Sequence, residues 1–301
     1  MPGVPNRPDL VTVVPFYLKT NETDDEEKNV AIPAEVDGRR GIFLLDLGST
    51  WFELNRTYLQ PSPTGGVDTV TDANRIPEKD TSASVGAHVT VRIGTMVDQF
   101  EDTMQRAPDG RPVNAVLNHM WNNFSTGGFV PRLGHIGPTV LEPFETIIDY
   151  AHQRVILIRL DKAGHRLVPV PAYTPKWSAP LIDIPTGPGY LEGHHYFWGV
   201  QVLLGGMGGV PESFRFDTGM PDNHLRQKSH DELAGHLSHE FLGTFGILDS
   251  LVIAGRAFTS IPVGFAKDDE DRDWPILGSP FLRSLGIIGF NHRTHQFILY
   301  R

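Results

Sequence analysis

The strongest constraint in this chain is that part of it is written twice. GIFLLDLGST at 41–50 matches ESFRFDTGMP at 212–221, and each is a strand-like run that ends in Asp-x-Gly, at Asp46-Leu47-Gly48 and Asp217-Thr218-Gly219. A second echo follows each one. HIGPTVLEPFETIIDYAHQRVILI, 135–158, matches PILGSPFLRSLGIIGFNHRTHQFIL, 275–299, in the same order. From Asp46 to Gly137 is 91 residues and from Asp217 to Gly278 is 61, so the extra length of the first half belongs to loops between 95 and 134. An ordered double repeat predicts two equivalent half-folds about a pseudo-twofold axis.

The repeat explains an otherwise odd residue choice. Asp and Gly announce turns, yet here they end an apolar run that reads as a buried strand. If each half delivers one Asp to a shared axis, the two carboxylates meet. Carboxylates about 3 Å apart cannot both ionise, so the pair holds one proton. One member then accepts a proton from water while the other donates to a carbonyl. Glycines after each Asp permit close backbone approach.

The rest of the chain reads as mainly β. Strands are expected at 11–18, with Pro15 at an edge or bulge, at 30–36 and 41–46 around the turn 37–40, and at 89–94. A short helix and two strands are expected within 139–160, and strand-like runs at 196–206, 247–253 and 261–265. HDELAGHLSHEF, 230–241, reads as a short helix. Residues 60–86 read as a long loop, and part of 161–184, with its prolines, as a connector between halves.

These motifs resemble the aspartic proteases, both the bilobal pepsin-like enzymes and the bacterial retropepsin-like proteins built on the same half-domain. Asp217-Thr218-Gly219 fits the family's Asp-Thr/Ser-Gly marker, and Ile276-Leu277-Gly278 followed by Phe281-Leu282 fits its downstream marker. Asp46, Gly48 and Ser49 fit the first marker in the other half, with Ile136-Gly137 and Leu141 as a looser second. LDSLVIAGRAFTSIPVGF, 248–265, resembles the strand-turn-strand before that marker. The likeness is spread over residues 30–300. It implies an all-β, two-lobed acid-protease fold of two pseudo-twofold half-barrels with short helices. The lobes would be 1–170, carrying Asp46, and 171–301, carrying Asp217, meeting through strands near 11–18 and 288–300. It implies peptide-bond hydrolysis with Asp46 and Asp217 catalytic, Gly48 and Gly219 shaping the loops, and Ser49 and Thr218 supporting the carboxylates. The substrate would be an extended peptide, with no cofactor and no metal, and a monomer would suffice.

Two departures from the family bear on activity. Leu47 stands where the family has a hydroxyl that bonds across the axis, which would leave Thr218 without its symmetric counterpart. Met220 stands where a small residue is usual. Flap candidates are 70–88 and 236–246; neither has the family's Tyr-Gly pattern, and Tyr58 lies too near Asp46. A degenerate relative that binds peptides without cutting them would carry the same signature, and a duplicated structural β protein is the third reading.

Other chemistries fare worse. With no cysteine, disulfides and thiolate chemistry are excluded. A net charge of −10 argues against nucleic acid as a partner. No apolar run reaches membrane-spanning length, and the amino terminus lacks a signal-peptide pattern; the compartment stays open, periplasmic or secreted if a signal was removed, cytoplasmic otherwise. His224, His230, His236 and His239, with Glu232 and Glu240, form the densest histidine group. His236 and His239 would share a helix face, but an exposed polar helix explains them better than zinc. His194-His195 is weaker still. No Gly-x-Ser-x-Gly elbow or Walker lysine occurs, so GGMGG at 205–209 reads as a turn. Trp51, Phe52, Trp121, Trp198 and Trp274 are core or subsite aromatics. The adjacency expected of the two loops disfavours a glycosidase, whose carboxyls stand further apart.

Overall fold

The computed structural model describes residues 7, 9–18, 30–48, 52–54, 88–101, 121–123, 128–130, 132–185, 196–226, 232–233, 235–241, 245–266 and 275–301. Strands are numbered along the chain. Three sheets carry the fold, and the helices α1 (Pro138–Leu141) and α2 (Ser279–Ser284) are short. The protein is all-β.

The first sheet joins the two ends of the chain. It comprises β1 (Val11–Pro15), β11 (Phe144–Asp149), β12 (Arg154–Arg159), β13 (Pro175–Pro180), β22 (Ile287–Asn291) and β23 (Gln296–Tyr300). Their order is β1-β12-β11-β22-β23-β13, antiparallel throughout. At its centre β11 pairs β22, with Ile147 opposite Gly289. The boundary expected at 170/171 falls between β12 and β13. Pro15 closes an edge strand, where its missing N–H costs no ladder bond. The inner strands β12, β11, β22 and β23 are buried on consecutive residues because both faces are covered, whereas the edge strand β13 is mostly exposed. Phe144, Ile148, Val155, Leu157, Phe297 and Leu299 join the main core. Ile147, Ile156, Ile158, Ile298 and Tyr300 join a second cluster with Val170 and Tyr173 of the connector.

The second sheet holds β2 (Tyr17–Leu18), β3 (Val30–Val36), β4 (Arg39–Leu45), β5 (Phe52–Leu54), β6 (His88–Ile93), β7 (Met96–Glu101) and β10 (Arg132–Ile136). Its order is β5-β10-β4-β3-β6-β7, and β2 pairs β3. The β3–β4 turn is tighter than the sequence suggests, because Arg39 and Arg40 pair with Val36 and Glu35. Asp37 and Gly38 alone make it, at φ 46° and 85°, the left-handed pair that a two-residue hairpin requires. A separate two-stranded ribbon pairs β8 (Trp121–Asn123) with β9 (Gly128–Val130).

The third sheet holds β14 (Ile182–Pro185), β15 (Tyr196–Leu204), β16 (Val210–Phe216), β17 (His224–Arg226), β18 (Leu237–Phe241), β19 (Phe245–Ile253), β20 (Arg256–Ala266) and β21 (Ile276–Leu277). The path β15-β16-β21-β17-β20-β19 returns to β15 and closes a six-strand barrel. The helix expected at 230–241 is corrected here: Leu237–Phe241 is a strand paired with β19. Leu237 and Ser238 gain ladder partners in Leu248 and Ile247, and such tertiary pairing overrides a weak helical pattern. His236 and His239 therefore share no helix face. His236 packs beside Gly205, while His224 pairs with Asp222 at 2.5 Å. His230, His194 and His195 lie outside the described residues, as do Tyr58, Trp51, Trp274 and nearly all of the 70–88 flap candidate.

Candidate active site

Asp46 follows the last residue of β4, and Asp217 the last of β16. Both strands end against a parallel neighbour: β4 against β10, with Leu45 opposite Ile136, and β16 against β21, with Phe216 opposite Leu277. Asp46 N–H donates to Ile136 O at 3.0 Å, and Asp217 N–H donates to Leu277 O at 3.1 Å. The downstream marker in the sequence is therefore the neighbouring strand on which each aspartate is anchored. Its glycine has a steric reason: a Cβ at Gly278 would stand 2.9 Å from Met220 O and overlap Asp222 O.

Each Asp-x-Gly loop folds back on its own acid. Gly48 N–H donates to Asp46 Oδ1 and Gly219 N–H to Asp217 Oδ1, both at 2.9 Å. The glycines are also where the loops meet. A Cβ at Gly219 would stand 3.0 Å from Asp46 Cγ, and one at Gly48 would overlap the Asp217 carboxylate. Asp46 and Asp217 thus face each other across the two glycines. Burial pushes the Asp217 carboxyl up to about 7; the Asp46 charge adds to the rise, and Arg215 and the Gly219 amide oppose it.

Thr218 reaches across the axis to the backbone of the other loop. It donates to Leu45 O at 2.5 Å and accepts from Leu47 N–H at 2.9 Å, so one side chain of the second half pins the first half's loop from both sides. Thr218 is therefore fully partnered by backbone, despite Leu47. What Leu47 removes is the reciprocal pin; its side chain is instead fully buried in the main core. Met220 leaves the loop intact: its N–H donates to Asp217 O and its carbonyl accepts from Ser279 N–H. Ser279 Oγ donates to Thr218 O at 2.8 Å. Ser49 lies outside the described residues.

Two basic residues at the site were not singled out from sequence. Arg215, two positions before Asp217 and so on the same strand face, donates from Nη2 to Asp217 Oδ2 at 3.1 Å. His135 places Nδ1 at 3.8 Å from Asp46 Oδ2. Asn223 is a third addition, holding Gly278 N–H through Oδ1 at 2.9 Å and donating to Pro262 O. The only sequence signal for Arg215 was a charge inside an otherwise apolar strand end, FRFD.

Among the described residues, no group of three His, Asp or Glu side chains is arranged to hold a metal ion, and no helix is long and apolar enough to cross a membrane. The Trp198 ring lies tilted against the buried His292, with 43° between the ring planes, and packs against the main core. No protein-family model matches the chain, and neither does any curated protein.

Proposed function

We propose that this protein is an aspartic endopeptidase on a bilobal acid-protease fold, with lobes 1–170 and 171–301 each supplying one aspartate. The observation that carries the reading is the mutual approach of Asp46 and Asp217 across Gly48 and Gly219, where burial and the Asp46 charge both raise the Asp217 carboxyl. The matching order of strand pairings around the two loops supports the pseudo-twofold relation: antiparallel β5–β10 beside parallel β10–β4, and antiparallel β17–β21 beside parallel β21–β16.

In this mechanism an extended peptide lies across the dyad. The ionised carboxylate takes a proton from water, and the resulting oxygen attacks the scissile carbonyl carbon. The protonated carboxyl donates to the carbonyl oxygen, giving a neutral gem-diol. Collapse breaks the C–N bond, the leaving nitrogen takes a proton from the dyad, and the gem-diol returns one to it. The dyad ends with one proton, as it began.

Digestion of a peptide library between pH 3 and 8 tests this. Cleavage by the parent protein and a loss of at least about a thousandfold in Asp46→Asn and in Asp217→Asn is expected. A pure, folded parent that cuts nothing across that range sinks the proteolytic reading. The alternative, a peptide-binding protein on a degenerate protease scaffold, draws on Leu47 and on the Arg215–Asp217 pair. It would be favoured by peptide binding without cleavage.

A further inference from the structure

The two sides of the dyad differ in chemistry. Aligning the halves on Asp46 and Asp217 places Leu44 opposite Arg215 in the repeat, and His135 opposite Ile276. Leu44 is buried with Ala31 and Ile42 in a small apolar cluster. At the equivalent place in the second half stands a guanidinium, on the face of β16 away from the core that takes Phe214 and Phe216. Its side chain is 16% exposed, and it donates to the oxygen of Asp217 that does not receive the Gly219 amide.

We infer that Arg215 gives the site a preference for an acidic side chain next to the scissile bond, on the Asp217 side. The inference rests on the proteolytic reading for the location of the bound peptide. Its physical basis is desolvation. A peptide settling on the dyad strips water from a cation that is already mostly buried. An apolar or amide side chain there leaves the guanidinium with less solvation and no new partner. A carboxylate restores a charge-assisted hydrogen bond, and the planar fork suits it better than it suits a single lone pair. Such a preference does not follow from bulk charge: the chain carries −10 overall and repels acidic peptides at long range. The cation is a local feature, set two residues from the acid by strand alternation. At the first-half position stands the buried Leu44, and the basic group beside Asp46 is an imidazole, His135, which already faces that carboxylate at 3.8 Å, so the guanidinium fork and the preference it sets belong to the Asp217 side of the scissile bond.

The test compares two peptides that differ only in Glu or Gln beside the cleaved bond, the bond itself being located by the library digestion. Binding is measured calorimetrically in the inactive Asp46→Asn protein, and kcat/KM in the parent. The expected Glu-to-Gln ratio is about tenfold or more in both measurements. It falls towards one in Arg215→Gln and is partly kept in Arg215→Lys. Equal affinity for the two peptides, no affinity for either, or a ratio unchanged in Arg215→Gln overturns the inference. If Arg215 only tunes the dyad's protonation, its replacement moves the pH profile for both peptides alike and the ratio stays at one, which also overturns it. Proteolysis is judged separately, by whether either peptide is cut and whether Asp46→Asn stops it. Arg215→Lys, checked by thermal melting, guards against mistaking misfolding of Arg215→Gln for loss of recognition.

Discussion

One hydroxyl links the two aspartate loops. Thr218 Oγ1 is buried between Leu45 O and Leu47 N–H, so Thr218→Val removes both bonds and leaves two buried backbone groups unsatisfied. The expected cost is about 2–4 kcal/mol in urea unfolding, with Thr218→Ser recovering most of it; a loss below about 0.5 kcal/mol would mean the loops are held by other contacts. Asp217 carries a prediction of opposite sign. Its carboxyl is raised to about 7, mainly by burial. Between the ordinary carboxylate value of about 4 and about 7, the folded state therefore holds a proton that the unfolded state releases. Stability from this group falls as pH rises through that window. Asp217→Asn should thus raise Tm relative to the parent more at pH 8 than at pH 4; an equal difference at both values contradicts the assignment. Under the proposed mechanism activity is expected to fall on the same limb, since one proton must stay on the pair. The kcat/KM profile is expected to decline above about pH 7, and an optimum well above that would rule out the dyad as proton donor.

At the scale of elements, β11 carries two acids on the face that meets the connector, and both are used to hold it. Glu145 accepts from Arg166 Nε and Nη2 and from the Tyr300 hydroxyl, while Arg166 Nη1 reaches Tyr173 O. Asp149 accepts from His152 N–H, Arg154 Nε and the Tyr173 hydroxyl. Burial works to raise the Asp149 carboxyl, but the bonds from His152, Tyr173 and Arg154 outweigh it and hold the group below its ordinary value. That stabilisation is complete above about pH 4 and is lost as pH falls from there through the depressed folded value. Asp149→Ala should cost about 3–5 kcal/mol at neutral pH and progressively less in acid; a pH-independent cost would place the effect in packing alone. Sequence legibility divides along the same lines. The helix, strand and turn within 139–160 and the hairpin 247–265 were readable because their apolar runs and turn residues are local signals. β18 was not, because its pairing with Leu248 and Ile247 is a long-range fact that HDELAGHLSHEF does not encode. Asp46 and Asp217 were visible through their repetition. Arg215, His135 and Asn223 occur once each, with no echo to raise them above the many charged and polar residues around them.

For the molecule as a whole, the decisive object is the six-stranded sheet. Strands β1, β11 and β12 come from one half of the repeat, β13, β22 and β23 from the other, and the halves meet at the β11–β22 ladder. The main core is continuous across that seam: Phe144 and Ile148 belong to the same cluster as Ile288, Phe290 and Phe297. The aspartates are held by loops that depend on Thr218 bonding into the other half, so the candidate site exists only while the seam is closed. Independent unfolding of two halves would expose β11 and β22 as long apolar edges, each an invitation to aggregate. The chain is therefore expected to unfold in one cooperative transition, with near-UV and far-UV dichroism changing together in urea and calorimetric and van't Hoff enthalpies agreeing. Ile288 is fully buried in the seam, and Ile288→Ala should lower stability by about 2–5 kcal/mol while leaving the transition single. Two resolved transitions in the parent, or an Ile288→Ala protein in which only one half melts early, would mean the repeat folds as two separable units. The shared site would then have to be assembled after folding instead of by it.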